Sequence, residues 1–225
     1  MMGNKRKRLQ SEVDNFLGEM PDFNYDQESQ SLKGDYLVLD DEGKYVDSYP
    51  LIIRLTADYP FAPPEVFDDG KNEPYSSDRH IEENGKFCLF YADESWKYYS
   101  PDDGLIKFLH GPVREFLVLQ KAYEIEGRWE GPGRAHYQKG CFEFYKDEFG
   151  VTDPRKIHSL MKQVIKRKIK GGNICPICYP EATTRIRNCH PELLEFQKRA
   201  SIPLMKGSIK KLETHCQNNR MPYTY

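Results

Sequence analysis

Tyr59-Pro-Phe-Ala-Pro-Pro-Glu-Val-Phe67, then Asn84-Gly-Lys-Phe-Cys-Leu-Phe90, Trp96 and Ser100-Pro101, form the stretch on which the reading of this chain turns. Three prolines within five residues stiffen the backbone, and one X-Pro bond is expected to be cis. Cys88 follows an Asn-Gly turn and precedes a helix start, which sets it in a loop rather than in a regular element. A thiol so placed reads in two ways: as a nucleophile or acyl carrier, because a thiolate both attacks and leaves well, or as a small buried apolar residue.

Working outward, residues 5–19 carry Leu9, Val13, Phe16 and Leu17 at near-helical spacing, and Pro21 closes that helix. Phe23–Tyr25, Gly34–Leu39 and Pro50–Thr56 read as successive strands, with a hairpin turn at Asp41-Glu-Gly-Lys44. Residues 57–101 read as a long irregular stretch, and such a stretch inside a compact domain is usually functional. A long helix is expected over about 102–126, then a Gly-rich loop at 127–133 and helices near 136–149, 154–169, 191–199 and 205–217. The fold class is α+β: an antiparallel meander flanked by helices, with a small helical module at the C-terminal side.

The 225 residues carry a formal net charge of −2 with 33 Lys+Arg against 35 Asp+Glu, but residues 1–150 hold −12 and residues 151–225 hold +10. That step suggests two domains, 1–150 and a basic helical extension 151–225. A basic half suits nucleic acid or another acidic surface, or is simply balanced by its own acidic partner half. No nucleic-acid motif and no aromatic-interleaved basic stripe appears, so nucleic acid is not the expected partner. Lys166-Arg-Lys-Ile-Lys170 reads as the solvated end of a helix. No run approaches the roughly 20 apolar residues of a membrane span. No apolar stretch follows the N-terminal charges, so a cytoplasmic protein with reduced or metal-bound cysteines is expected.

Cys175-Pro-Ile-Cys178, ten residues, then Cys189-His190 make a CxxC-x10-CH pattern within 173–191. Zinc takes four N/S ligands in a tetrahedron, and four closed protein ligands make a structural site that folds a segment lacking its own core. Two free thiols or a redox pair are the alternatives, the latter without a strand–helix context. Cys141 reads as core, and His215-Cys216 as a second metal pair or a helix surface.

The ordered set of helix, meander, YPFxPP turn, Cys88 in its Asn-Gly setting, Trp96 and Ser-Pro helix start resembles the ubiquitin-conjugating enzymes over roughly residues 5–150. The zinc pattern is similar to the motif at the C-terminus of the SecA translocation motor. The first resemblance implies that Cys88 takes a protein's C-terminal carboxyl as a thioester and hands it to an amine, after charging by an activating enzyme that is separate or dispensable. Family members carry His-Pro-Asn upstream of the cysteine. Here Asp78-Arg79-His80 stands in its place, so His80 aligns with the oxyanion Asn without a gap, with the structural His if two residues are skipped, or is a solvated loop residue. Asp93 and Glu94 stand where an acid would orient the incoming lysine, or form an acidic turn. His136, in Gly133-Arg-Ala-His-Tyr137, with Gly140 and Phe142-Glu-Phe-Tyr145, resembles the ending of bacterial members and reads as an accessory or a structural residue. Bacterial proteins of this kind resemble conjugating components of antiphage operons. In the CBASS type the carried tail belongs to a cGAS-like nucleotidyltransferase rather than to a ubiquitin-like protein. A non-catalytic scaffold of the same fold that holds a partner peptide is the alternative, and a nucleic-acid-binding zinc protein a third.

Overall fold

The computed structural model describes residues 2–70, 73–131, 135 and 137–224, with side chains from residue 8 onward. The chain divides into two compact units: residues 1–90 with 97–133, and residues 91–96 with 134–225. This partition differs from the charge step at 150, since the helix ending at Phe149 belongs to the second unit.

The first unit is helix α1 (Met2–Glu19), then strands β1 (Phe23–Asp26), β2 (Ser31–Leu39), β3 (Tyr45–Arg54) and β4 (Glu65–Asp68) in one antiparallel sheet of order β1-β2-β3-β4. Alternation sets the faces. Leu32, Tyr36 and Val38 of β2 and Tyr49, Leu51 and Ile53 of β3 are buried, while Leu37 and Leu39 face outward. The buried face packs with Val13 and Phe16 of α1 and with Phe108, Leu109, Phe116 and Leu117 from the downstream helices. Gly34 pairs with Phe23, and a Cβ there would press into the Asp22 carbonyl and Phe23. Strand β4 lies inside the stretch read as irregular. Its four residues behind Pro63-Pro64 are too few to show alternation, and three of them are buried.

The expected continuous helix over 102–126 is broken. Helix α2 (Gly104–Phe108) passes into a π turn (Leu109–Val113) before α3 (Arg114–Glu126). Pro112 has no N–H to donate and its ring crowds the carbonyl four residues back; the chain yields at Gly111, whose φ/ψ of −94°/−106° is non-helical. Glu12 of α1 accepts hydrogen bonds from Tyr59 Oη and from the Leu105 N–H at 3.0 Å, tying α1 to the YPFxPP turn and to the start of α2. The Tyr59–Pro60 bond is cis, and Tyr99 Oη donates to the Pro60 carbonyl at 2.9 Å.

The second unit contains α4 (Tyr137–Phe149), α5 (Pro154–Ile165), the single turn α6 (Ile186–Cys189), α7 (Glu192–Arg199) and α8 (Ile202–Asn218). Its core joins Cys141, Phe144, Tyr145 and Phe149 of α4 to Ile157, Leu160, Met161 and Val164 of α5, Phe196 of α7 and Leu212 of α8. Helix α5 stops at Ile165, short of the expected 169. Arg167 turns left-handed at φ 53°, so the Lys166–Lys170 run lies past the helix rather than on its last turn. Among the described residues no helix is long and apolar enough to cross a membrane.

Candidate thiol site and metal centre

The thiol site grows from the edge of β4. Asn84-Gly85 closes a turn in which Gly85 N–H donates to the Glu82 carbonyl and Glu82 N–H to the Lys86 carbonyl, both at 2.8 Å. Gly85 sits at φ 84°, and a Cβ there would crowd the Asp68 carbonyl, so the turn needs glycine at this approach. Phe87 N–H then donates to Val66 O at 2.9 Å and Cys88 N–H to His80 O at 2.8 Å. Cys88 thus emerges from a backbone clamp, half-buried, with its Sγ 3.7 Å from Glu82 Oε1. Burial first, then the Glu82 carboxylate, push this thiol up to about 11, against a smaller pull from Lys86. At neutral pH it is a protonated thiol with a carboxylate acceptor in place for its proton.

Glu82 was not among the site residues expected from the sequence. It lies six positions before Cys88, and only the register of the hairpin folds it back. The one available signal was the Asn-Gly turn, which brings the residues on its two arms together.

His80 is the left-handed cap (φ 56°) of a short 3₁₀ turn over Ser77–Arg79, its carbonyl holding Cys88 and its ring 4.8 Å from that of Trp129. The turn is anchored by Arg79, which is buried. Its Nε donates to Gln120 Oε1 at 3.0 Å, Gln120 Nε2 returns a bond to the Arg79 carbonyl at 2.6 Å, its guanidinium pairs with Glu73, and Tyr123 lies beneath it at 5.2 Å. Burial holds the Glu73 carboxyl above its ordinary value even beside Arg79. A buried guanidinium is tolerated only when its donors are met, and here they are met by Gln120 of α3 and by Glu73.

Asp93 and Glu94, expected near the cysteine as acids, belong to the second unit, on a 3₁₀ turn over Ala92–Lys97, and both are buried. Asp93 accepts from Tyr145 Oη at 2.9 Å and from Ser208 Oγ. Burial raises its pKa while Ser208 and then Tyr145 oppose the rise. The Tyr91 hydroxyl lies 3.1 Å from Ser208 Oγ, and Cys141 Sγ donates to the Ser208 carbonyl at 3.2 Å, in the core as read. His136 lies outside the described residues.

The metal pattern assembles in the second unit. Cys175 N–H bonds the Thr184 carbonyl at 2.8 Å across an isolated bridge between Ile174 and Arg185, and α6 carries Cys189 and His190 back onto the Cys175–Cys178 turn. The ligand atoms of Cys175, Cys178, Cys189 and His190 all lie within 4.8 Å of one another, with His190 Nδ1 3.3 Å from Cys175 Sγ and 3.5 Å from Cys178 Sγ. A tetrahedral zinc–thiolate site has ligand edges of about 3.8 Å, so this cluster could hold a metal ion with little adjustment. No disulfide forms: all six cysteines are free. His215 and Cys216 take neither of their expected roles as a pair. Cys216 is buried in the core, and His215 stacks on Phe142 at 5.2 Å.

No family model, no curated protein and no solved structure matches the chain.

Proposed function

We propose that this protein is an acyl carrier of the ubiquitin-conjugating type, in which Cys88 takes a protein C-terminus as a thioester and transfers it to an amine. The observation that carries the proposal is the thiol itself: Cys88 is partly open to solvent, held by its own backbone beside a sheet edge, with a carboxylate 3.7 Å from Sγ. The arrangement of one helix, a four-strand meander, a cis Tyr59–Pro60 turn and a downstream cysteine supports the same reading.

In the charging step the Cys88 proton passes to Glu82, the thiolate attacks the activated acyl carbon, and the donor's leaving group departs with its electron pair. In the transfer step an amine attacks the thioester, the C–S bond breaks with its electron pair left on sulfur, and the proton lost from the amine nitrogen passes to the Cys88 thiolate. His80 supplies the oxyanion donor in place of the family's Asn. Zinc is the proposed occupant of the Cys175–Cys178–Cys189–His190 cluster, in a structural role. A bacterial antiphage setting, with a cGAS-like nucleotidyltransferase tail as the donor, and a cytoplasmic location belong to the same proposal.

The test uses a synthetic peptide thioester, which needs no activating enzyme. Incubation at pH 8 is expected to leave a peptide adduct on Cys88 that hydroxylamine or a reducing thiol removes, and Cys88→Ala abolishes it. A chain that takes up no peptide while a small disulfide reagent modifies Cys88 readily overturns the acyl-carrier reading and favours a peptide-holding scaffold.

A further inference from the structure

The second unit carries a groove that neither Cys88 nor the metal cluster uses. Arg155, His158 and Lys162 follow one another at i, i+3 and i+7 along one stripe of α5, with His158 buried and Lys162 exposed, and Lys166 continues the line past its end. From Arg155 to Lys166 this stripe runs about 16 Å. The left-handed turn at Arg167 then divides the basic run. Arg167 sends its guanidinium to the Gln197 carbonyl at 2.7 Å, whereas Lys166 and Lys168 stay with the groove. Tyr223 forms a wall, its ring edge-to-face with His158 at 5.4 Å and its hydroxyl accepting from Gln217 Nε2 at 3.0 Å. Together these residues line an open groove of about 470 Å³.

Charge in the groove is one-sided. Among the described residues Lys162, Lys166 and Lys168 make no ion pair, and all three are exposed. Among the described residues, the carboxylates that meet the groove's lining are already engaged: Asp153 with Arg155, and Glu213 with His158 Nε2 at 2.7 Å. Three uncompensated ammonium groups beside an aromatic wall combine the two elements by which proteins hold nucleotides, cations for phosphate and a ring for the base. The volume falls within the range of small-ligand sites, about 300–1,000 Å³.

We infer that this groove is a nucleotide-binding site, with phosphate on Lys162, Lys166 and Lys168 and the base against Tyr223. The inference is independent of the acyl-carrier reading and reverses the expectation from the linear sequence that nucleic acid is not a partner. The ligand chemistry, a phosphate carrying a base, is shared by a free nucleotide and by a single strand of nucleic acid.

The experiment measures fluorescence anisotropy of a fluorescein-labelled twelve-nucleotide single strand with the full chain at 50 mM salt, then competes it with AMP and with inorganic phosphate. Binding is expected, with AMP a better competitor than phosphate. A strand at least a hundredfold tighter than AMP assigns the site to nucleic acid; similar affinities assign it to free nucleotide. Replacing Lys162, Lys166 and Lys168 together by Gln, all surface changes, is expected to abolish detectable binding at 150 mM salt and to flatten the log–log salt slope by about 2. Tyr223→Leu is expected to weaken strand binding about tenfold or more at unchanged salt slope. Absence of binding overturns the inference. So does an equal loss from Lys206→Gln/Lys210→Gln on α8, which would make the effect one of general charge, or a Tyr223→Leu chain that binds as the parent does.

Discussion

Replacing Glu82 by Gln isolates what the carboxylate does to the thiol while keeping its shape. At the 3.7 Å separation from Cys88 Sγ, two unit charges repel by about 1 kcal/mol in a water-like dielectric and about 4 kcal/mol at an effective dielectric of about 20. Glu82 is exposed, so the lower figure governs. Removing about 1 kcal/mol lowers the Cys88 pKa by a little under one, which raises the thiolate population at pH 8 about sixfold. A thiolate of lower pKa is also a weaker nucleophile, and with a Brønsted slope of about 0.4–0.5 the net gain in reaction with a disulfide reagent is about threefold. The assay is the initial rate with an aromatic disulfide at pH 8, after subtracting the rate of the matching Cys88→Ala chain to remove the other thiols. An unchanged Cys88 rate in Glu82→Gln refutes the assignment, because it leaves the raised pKa to burial alone, whereas a slower rate shows that accepting the proton outweighs the charge effect of Glu82.

Gln120→Leu removes both bonds to Arg79, leaving a guanidinium N–H and a carbonyl buried without partners. It is expected to cost about 2–4 kcal/mol, read from hydrogen exchange of the β2 and β3 amides, and to slow peptide-thioester capture because the His80 turn loses its anchor. The Asp93 carboxyl, raised by burial, binds its proton more tightly folded than unfolded. Its contribution therefore favours the folded state below the unfolded value of about 3.9 and is lost as pH rises through the folded value. Asp93→Asn should flatten that fall, measured as the urea midpoint for oxidation of buried Met161 at a series of pH values from 4 upward; an unaltered slope would show that Asp93 does not set it. Elemental analysis should find one zinc per chain, absent in Cys178→Ser. A strong chelator should open residues 171–190 to protease while the β-sheet amides keep their protection.

Local pattern carried most of the element types. Short alternating runs announced parts of β2 and β3, near-helical spacing announced α1, and the four metal-cluster residues lie close enough in sequence for their spacing to single them out. The misses share a cause. Strand β4 is too short for a period, and the π turn depends on how Gly111-Pro112 settles against the sheet, where the Tyr36 hydroxyl lies 3.0 Å from His110 Nδ1. Asp93 reads from the sequence as an accessory acid or part of an acidic turn because nothing near it in sequence reveals the hydroxyls of Tyr145 and Ser208.

By itself, then, the sequence determined an α+β chain with a cysteine in a turn-bounded loop and a compact cysteine–histidine cluster, since these follow from periodicity and from neighbours a few residues apart. Tertiary structure alone decided that Glu82 faces Cys88, that Gln120 anchors Arg79, and that Tyr223 walls a groove with Lys162 of α5 and with Lys166 and Lys168 beyond its end. Those pairings join distant segments or depend on hairpin register, and both are set by which apolar faces bury together.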